Sequence, residues 1–210
     1  MIIDTVPVGP LQVNCYILGC EESGEGVVID AGGSVDRVLS RVRSRGLNVR
    51  YLLSTHGHFD HIGGNRAFLE ATGATYMIHE KDAFLLSMAT ASGRSFGVDV
   101  ENSPEPDEFL ADGMMLEFGK HHLQVIFTPG HSPGGCSLYC ASEGAVFTGD
   151  TLFNGSVGRT DLPGGSMEML IRSIKQRLFT LPETTRVYPG HGPSSTIAIE
   201  RVSNPYVPKG

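Results

Sequence analysis

The stretch Ser54-Thr-His-Gly-His-Phe-Asp-His-Ile-Gly-Gly64 packs three histidines and an aspartate, His56, His58, Asp60 and His61, into six positions. On a helix, His56 and His58 at i and i+2 would point ~200° apart and could not share an ion. They must lie on an extended or turning segment. Gly57, Gly63 and Gly64 allow such a path, and a helix beginning after them would aim its N-terminal amides back toward the turn. The spacing favours a metal site at a strand-to-helix turn.

Working outward, four apolar runs stop at a ligand-type residue: "YLLSTHGH" at His56, "VIFTPGH" at His131, "AVFTGD" at Asp150 and "VYPGHG" at His191. Ligands commonly bind beyond strand ends, where loops present functional groups on a rigid base. Four strands ending alike are expected to converge on one place. Short β-rich runs, "VNCYILG", "GVVIDAG", "VRYLLSTHG", "ATYMIHE", "HHLQVIFTPG", "GAVFTGD" and "TRVYPGHG", read as strands. Between them lie helical patterns. In "SMEMLIRSIKQRLFTLP" Ser166 is an N-cap, Glu168 suits the first turn, and Met167, Leu170, Ile171, Ile174 and Leu178 share one face expected to be core. Further helices are expected in "VDRVLSRVRSRG", "GGNRAFLEATG" and "KDAFLLSMATAS", and the acidic, Pro-interrupted segment Gly93 to Asp112 reads as a long surface loop.

The 210 residues fit one large domain, and 27 glycines with 12 prolines imply many tight turns, an α/β rather than all-helical mixture. Net charge is −7 without a Lys/Arg run, which argues against a nuclease or any other polyanion-binding role. The N-terminus lacks a basic segment leading into an apolar one, and no apolar run approaches the ~18 residues of a membrane span, so a soluble cytoplasmic protein is expected. The cysteines, Cys15, Cys20, Cys136 and Cys140, sit in strand-like apolar segments and read as buried thiols. His79, His121 and His122 read as packed or solvated residues outside the site.

Imidazole and carboxylate donors suit Zn, Fe or Mn, and the lack of thiolates argues against a purely structural zinc site. A catalytic zinc takes about three protein ligands and keeps a position for water. His56, His58, Asp60, His61, His131, Asp150 and His191 exceed the needs of one ion. Two divalent ions, each with three terminal ligands, plus one bridging carboxylate would use them all.

These residues resemble the metallo-β-lactamase-fold hydrolases: HxHxDH at His56 to His61, then His in "TPGHSPGG", Asp in "FTGD" and His in "PGHG". The resemblance implies a four-layer αββα sandwich of two mixed β-sheets flanked by helices, and a single such domain over 1–210. "FTGDTLFNGSVGRTDLPGGS" and "PGHGPSSTIAIERVSNPY" further resemble the glyoxalase-II-like branch, hydroxyacylglutathione hydrolases that cleave S-lactoylglutathione. By that resemblance one metal is held by His56, His58 and His131, the other by Asp60, His61 and His191, and Asp150 bridges them. Zn²⁺ is the first expectation, with Fe or Mn served by the same donors. Asp60 also orients or deprotonates the attacking water, and Asp30 in "VIDAGG" supports the turn beneath the metals. Two cations lower the pKa of a bridging water from ~15.7 toward ~7, and the resulting hydroxide attacks the thioester carbonyl.

The resemblance is incomplete where the substrate is concerned. Classical two-domain glyoxalase II enzymes grip glutathione partly with basic residues of a C-terminal helical domain, but 19 residues follow His191, so no such domain is expected. Asp161 and Pro193 stand where tyrosines contact glutathione in those enzymes. Arg159 falls where they place a lysine, and reads as a substrate-carboxylate contact or, equally, as a brace paired with Asp161. The expected partner is a small-molecule thioester, with neither nucleic acid nor membrane, and the oligomeric state stays open. The rival within the superfamily is a mononuclear Fe(II) persulfide dioxygenase using His56, His131 and Asp150. Such enzymes share a "GRTD" segment but follow the last His with Asp-Tyr, whereas this chain reads "HGPSST". A lactonase or β-lactamase would place the same metals on a C–O or C–N bond, and a non-catalytic metal-binding module would need no second ion.

Overall fold

The structure is a computed structural model that describes residues 1–208. It divides into two compact units, residues 1–110 with 117–121, and residues 111–116 with 122 onward.

The first unit carries β1 (Ile2–Val8), β2 (Val13–Gly19), β3 (Glu25–Ile29), α1 (Val35–Ser44), β4 (Asn48–Leu53), α2 (Phe59–Ile62), α3 (Asn65–Thr72), β5 (Thr75–His79), α4 (Ala83–Leu86), α5 (Ala89–Ser95) and β6 (Glu108–Leu110). The strands form one sheet in the order β1-β2-β3-β4-β5-β6. β1, β2 and β3 are antiparallel hairpin neighbours, while β3, β4, β5 and β6 run parallel. Parallel strands need crossovers, and α1 and the α2–α3 pair supply them between β3, β4 and β5. Every residue of β2 is buried, as a central strand covered on both faces requires. Pro7 is confined to the edge strand β1, where a missing N–H costs least. The core under the helices holds Val28, Val38, Leu52, Ile62, Phe68, Tyr76 and Ile78 at full or nearly full burial.

Two segments depart from the sequence expectation. "KDAFLLSMATAS" forms a 3₁₀ turn at Glu80–Asp82 and the two short helices α4 and α5 rather than one helix. The segment from Gly93 to Asp112 is not a plain loop. α5 extends into it as far as Ser95, and β6 adds three residues parallel to β5, steered by Asp107, whose carboxylate accepts from Tyr76 N at 2.8 Å. Three residues are too few to show a period in sequence.

The second unit continues with β7 (Met115–Phe118), whose last two residues belong to the first unit, and β8 (His121–Phe127), whose first residue does, then β9 (Cys136–Cys140), β10 (Ala145–Gly149), the small hairpin β11 (Leu152–Phe153) with β12 (Ser156–Val157), α6 (Met167–Ser173), β13 (Arg186–Pro189), β14 (Ser195–Thr196) and α7 (Ile197–Ser203). Its sheet has the order β14-β13-β10-β9-β8-β7. α6 is capped by Ser166, whose Oγ accepts from Met169 N at 3.3 Å, and continues into a π-helical turn at Ile174–Leu178. Leu170, Ile174 and Leu178 are fully buried, each contributing about 1.5–3 kcal/mol. Met167, expected on that face, is instead 44% exposed because it occupies the first helical position, before the stripe reaches the core. All four cysteines are buried thiols outside any disulfide. No helix among the described residues is long and apolar enough to cross a membrane.

Candidate metal centre

In the first unit β3 and β4 are parallel neighbours, so Asp30 and Ser54 leave the sheet at one edge, joined by Asp30 N donating to Leu53 O at 2.9 Å. Asp30 is 1% exposed and has φ 56, a left-handed conformation that Asp tolerates better than most residues. The strained turn aims its carboxylate at the histidine cluster. Oδ1 accepts from Thr55 N at 2.7 Å, and Oδ2 accepts from Thr55 Oγ1 at 2.7 Å and from His61 Nδ1 at 2.9 Å. A carboxylate only accepts, so His61 donates from Nδ1 and keeps the lone pair on Nε2 for an ion. Thr55 Oγ1, having given its proton to Asp30, can accept from His56 Nδ1 at 3.1 Å, which orients that ring the same way.

His58 has φ −70 and ψ 145, the extended conformation expected, and α2 begins immediately after it with Asp60 in its first turn. The rings of His56 and His58 are 4.7 Å apart, and those of His56 and His61 are 4.1 Å apart. Two further residues build this turn. Asp82, fully buried, accepts from Gly57 N at 2.9 Å. Gly32 passes so close beneath Asp60 that a Cβ there would stand 1.7 Å from the Asp60 carbonyl oxygen.

In the second unit β8 is antiparallel to β9 and β9 to β10, while β10 and β13 are parallel. The C-terminal ends of β8, β10 and β13 therefore lie on one edge, and His131, Asp150 and His191 follow them. Gly190 N donates to Gly149 O at 2.8 Å, fixing the spacing between Asp150 and His191. His131 Nδ1 lies 2.7 Å from the Arg159 carbonyl, which only accepts, so Nε2 again carries the lone pair. Asp150 Oδ2 is 3.6 Å from His131 Nε2 and 3.7 Å from His191 Nε2. One carboxylate oxygen thus stands beside a histidine of each expected ligand set. Gly158 lies under this pair, where a Cβ would come within 1.9 Å of the Asp150 carbonyl oxygen and 2.9 Å of His131 Nδ1.

Each unit thus gathers candidate donors of its own: the first brings His56, His58, Asp60 and His61 to one turn, and the second brings His131, Asp150 and His191 to one sheet edge. The donor types fit divalent metal, since imidazoles and carboxylates are the ligands such ions take.

The sequence profile of the Metallo-beta-lactamase superfamily matches residues 8–191. The chain belongs to that superfamily. Among curated relatives, a probable metallo-hydrolase of Bacillus subtilis, YqgX, is 37% identical, with 96% of this chain and 95% of the relative aligned. The hydroxyacylglutathione hydrolase GloC of Haemophilus influenzae is 34% identical, with 99% and 98% aligned. Among solved structures, the B3 metallo-beta-lactamase BLEG-1 superposes with a TM-score of 0.91 at 36% identity over 98% of this chain and 99% of its own, and TTHA1623 in a di-iron-bound form with 0.89 at 40% identity over 97% and 99%. The fold class expected from the motifs, mixed sheets flanked by helices in the metallo-β-lactamase fold, is the one found. The superfamily and its clustered His/Asp donors make this a metallo-hydrolase with divalent metals as its expected cofactors.

Arg159 is placed at the edge of the centre through its carbonyl, while its guanidinium makes a bidentate pair with Asp161, 2.7 Å at both contacts, and is 51% exposed. That pair holds the Asp161 carboxyl down at about 2. Outside the centre, His79 accepts from Lys81 N at 3.2 Å, and His121 is buried against Phe118 with ring centroids 5.5 Å apart. Asp82, Gly32 and Gly158 were not singled out from sequence. Asp82 lies 21 positions beyond the cluster it supports, and the two glycines act by what they lack.

Proposed function

We propose that the protein is a dinuclear metal-dependent hydrolase that cleaves thioesters of the hydroxyacylglutathione type. The observation that carries this reading is Asp150 Oδ2, set beside both His131 and His191, in a chain aligned almost end to end with GloC.

In this reading His56, His58 and His131 hold one ion, Asp60, His61 and His191 the other, and Asp150 is shared. The ions supply Lewis acidity, which makes a nucleophile available from water at neutral pH and polarises a carbonyl. The chain's own part is to orient. Asp30 and the Arg159 carbonyl fix the His61 and His131 tautomers. Asp60, 15% exposed beside His61 Nε2 at 3.8 Å, orients the attacking water and takes up its proton. A thiolate leaves without strong acid assistance, so no protein acid is assigned to the leaving group. Arg159 is the proposed contact for a substrate carboxylate, exchanging its exposed Asp161 partner for the ligand. The two units act as one domain, Zn²⁺ is the proposed metal with Fe or Mn as alternatives, and the partner is a small cytoplasmic thioester rather than nucleic acid or membrane.

The test is a substrate panel on protein whose metals are quantified. Thiol release from S-lactoylglutathione is expected, with His56→Ala abolishing turnover and losing at least one metal. Oxygen uptake with glutathione persulfide and no thiol release would replace this reading by the dioxygenase, and cleavage of only lactones or nitrocefin would move the substrate class.

A further inference from the structure

Beyond the candidate ligands, the second unit holds a buried carboxyl group that the proposed chemistry does not use. Glu200, on α7, is 1% exposed. Its Oε1 accepts from Ser195 Oγ, and its Oε2 accepts from Gly155 N at 3.0 Å and Asn204 Nδ2 at 2.8 Å. The three donors come from separate places. Gly155 is in the turn between β11 and β12, the hairpin that begins two residues after Asp150. Ser195 opens β14, four residues after His191. Asn204 caps the end of α7 and also donates to Ser156 O at 3.0 Å, on the same hairpin.

A parallel tie joins the same two segments, Asn154 Nδ2 donating to Ser194 O at 3.1 Å. On the hairpin, Phe153 packs its ring edge-on to His191, with centroids 6.2 Å apart. His191 has a side chain 29% exposed, and these contacts limit where its ring can go.

We infer that Glu200 is a positioning residue for the metal centre: by pinning the hairpin after Asp150 to the strand after His191, it sets the geometry of the ion-binding position that His191 serves. The inference rests on the two-ion reading of the site. The carboxyl group is suited to this because it has two oxygens and a fixed spread, so each oxygen takes one segment. An amide accepts on one side only: with its NH₂ toward Gly155 N it would meet a donor, and with its NH₂ toward Ser195 it would keep the clamp only if that hydroxyl turned round to accept. Hydrogen bonds that orient ligands commonly account for one to two orders of magnitude in metal affinity. Acting through neighbours of His191 rather than on its ring, Glu200 belongs at the lower end.

The experiment is a Zn²⁺ titration of the full chain, stripped of metal, against a competing chromophoric chelator. Wild type, Glu200→Gln and His191→Ala are compared, with thermal unfolding of each. Two binding steps are expected for wild type. His191→Ala identifies which step depends on His191, and Glu200→Gln is expected to weaken that same step about tenfold and the other by less than about twofold. A lowered Tm with both steps unchanged, or both steps weakened alike, overturns the inference. Should Glu200→Gln not fold, Ser195→Ala removes one arm of the clamp with little change in volume and is expected to weaken the same step about threefold, and no change there overturns it equally. If wild type takes up one equivalent of Zn²⁺, the dinuclear reading itself fails, an outcome separate from two intact steps that ignore Glu200.

Discussion

Replacing Asp30 by Asn changes one acceptor atom into a donor while keeping size and the tolerance for left-handed φ, so the effect isolates hydrogen bonding at φ 56. Two orientations of the amide are available, and each costs something different. With NH₂ in the place of Oδ2, Thr55 Oγ1 can reverse and accept, but His61 Nδ1–H meets a second donor. The ring must then move its proton to Nε2, where the lone pair for the ion should be, and affinity at the position served by His61 falls by about 10- to 100-fold. With NH₂ in the place of Oδ1, His61 keeps its acceptor, but the buried Thr55 N–H loses its 2.7 Å partner. A buried unsatisfied N–H costs about 1–3 kcal/mol. At ~2–4 °C per kcal/mol for a chain of this size, that lowers Tm by roughly 2–12 °C. The variant therefore trades metal affinity against stability, and one of the two must fall. Zn²⁺ titration by chelator competition and differential scanning calorimetry on the same metal-free sample read both. A variant with wild-type affinity and a Tm within about 1 °C of wild type would refute the role given to Asp30.

Gly158→Ala would place its Cβ 1.9 Å from the Asp150 carbonyl, so the backbone under Asp150 and His131 must shift; metal affinity should fall by at least about tenfold in the same titration. Asp161→Asn releases the Arg159 guanidinium from an exposed pair, and steady-state kinetics should show KM for S-lactoylglutathione falling by up to about fivefold at unchanged kcat, with Arg159→Met raising it. Tyr76 is buried, and desolvation pushes its phenol up to about 12 from an ordinary 10, against smaller opposing contributions from Ser54, Ser103 and Asn65. Because the unfolded chain loses this proton first as pH rises, stability present below pH 10 should decline by up to about 1.4 kcal/mol per pH unit from 10 to 12, and denaturant melts of Tyr76→Phe should lack that component.

The sequence by itself determined the elements whose signal is local. β2, β8, β10 and β13 are apolar runs ended by turn residues, α6 shows a cap and a stripe, and HxHxDH crowds too many donors into one turn to be incidental. What it left undecided depends on partners far along the chain. β6 exists because β5 offers it an edge, β11, β12 and β14 are two residues each, and Met167 misses the core by one position of the stripe. The same holds for the centre. Its candidate ligands are legible because ligand chemistry is confined to few residue types. The residues that orient them are not, since Asp82, Gly32, Gly158 and Glu200 act through a hydrogen bond or a missing side chain across the fold, and only tertiary structure brings those distant atoms together.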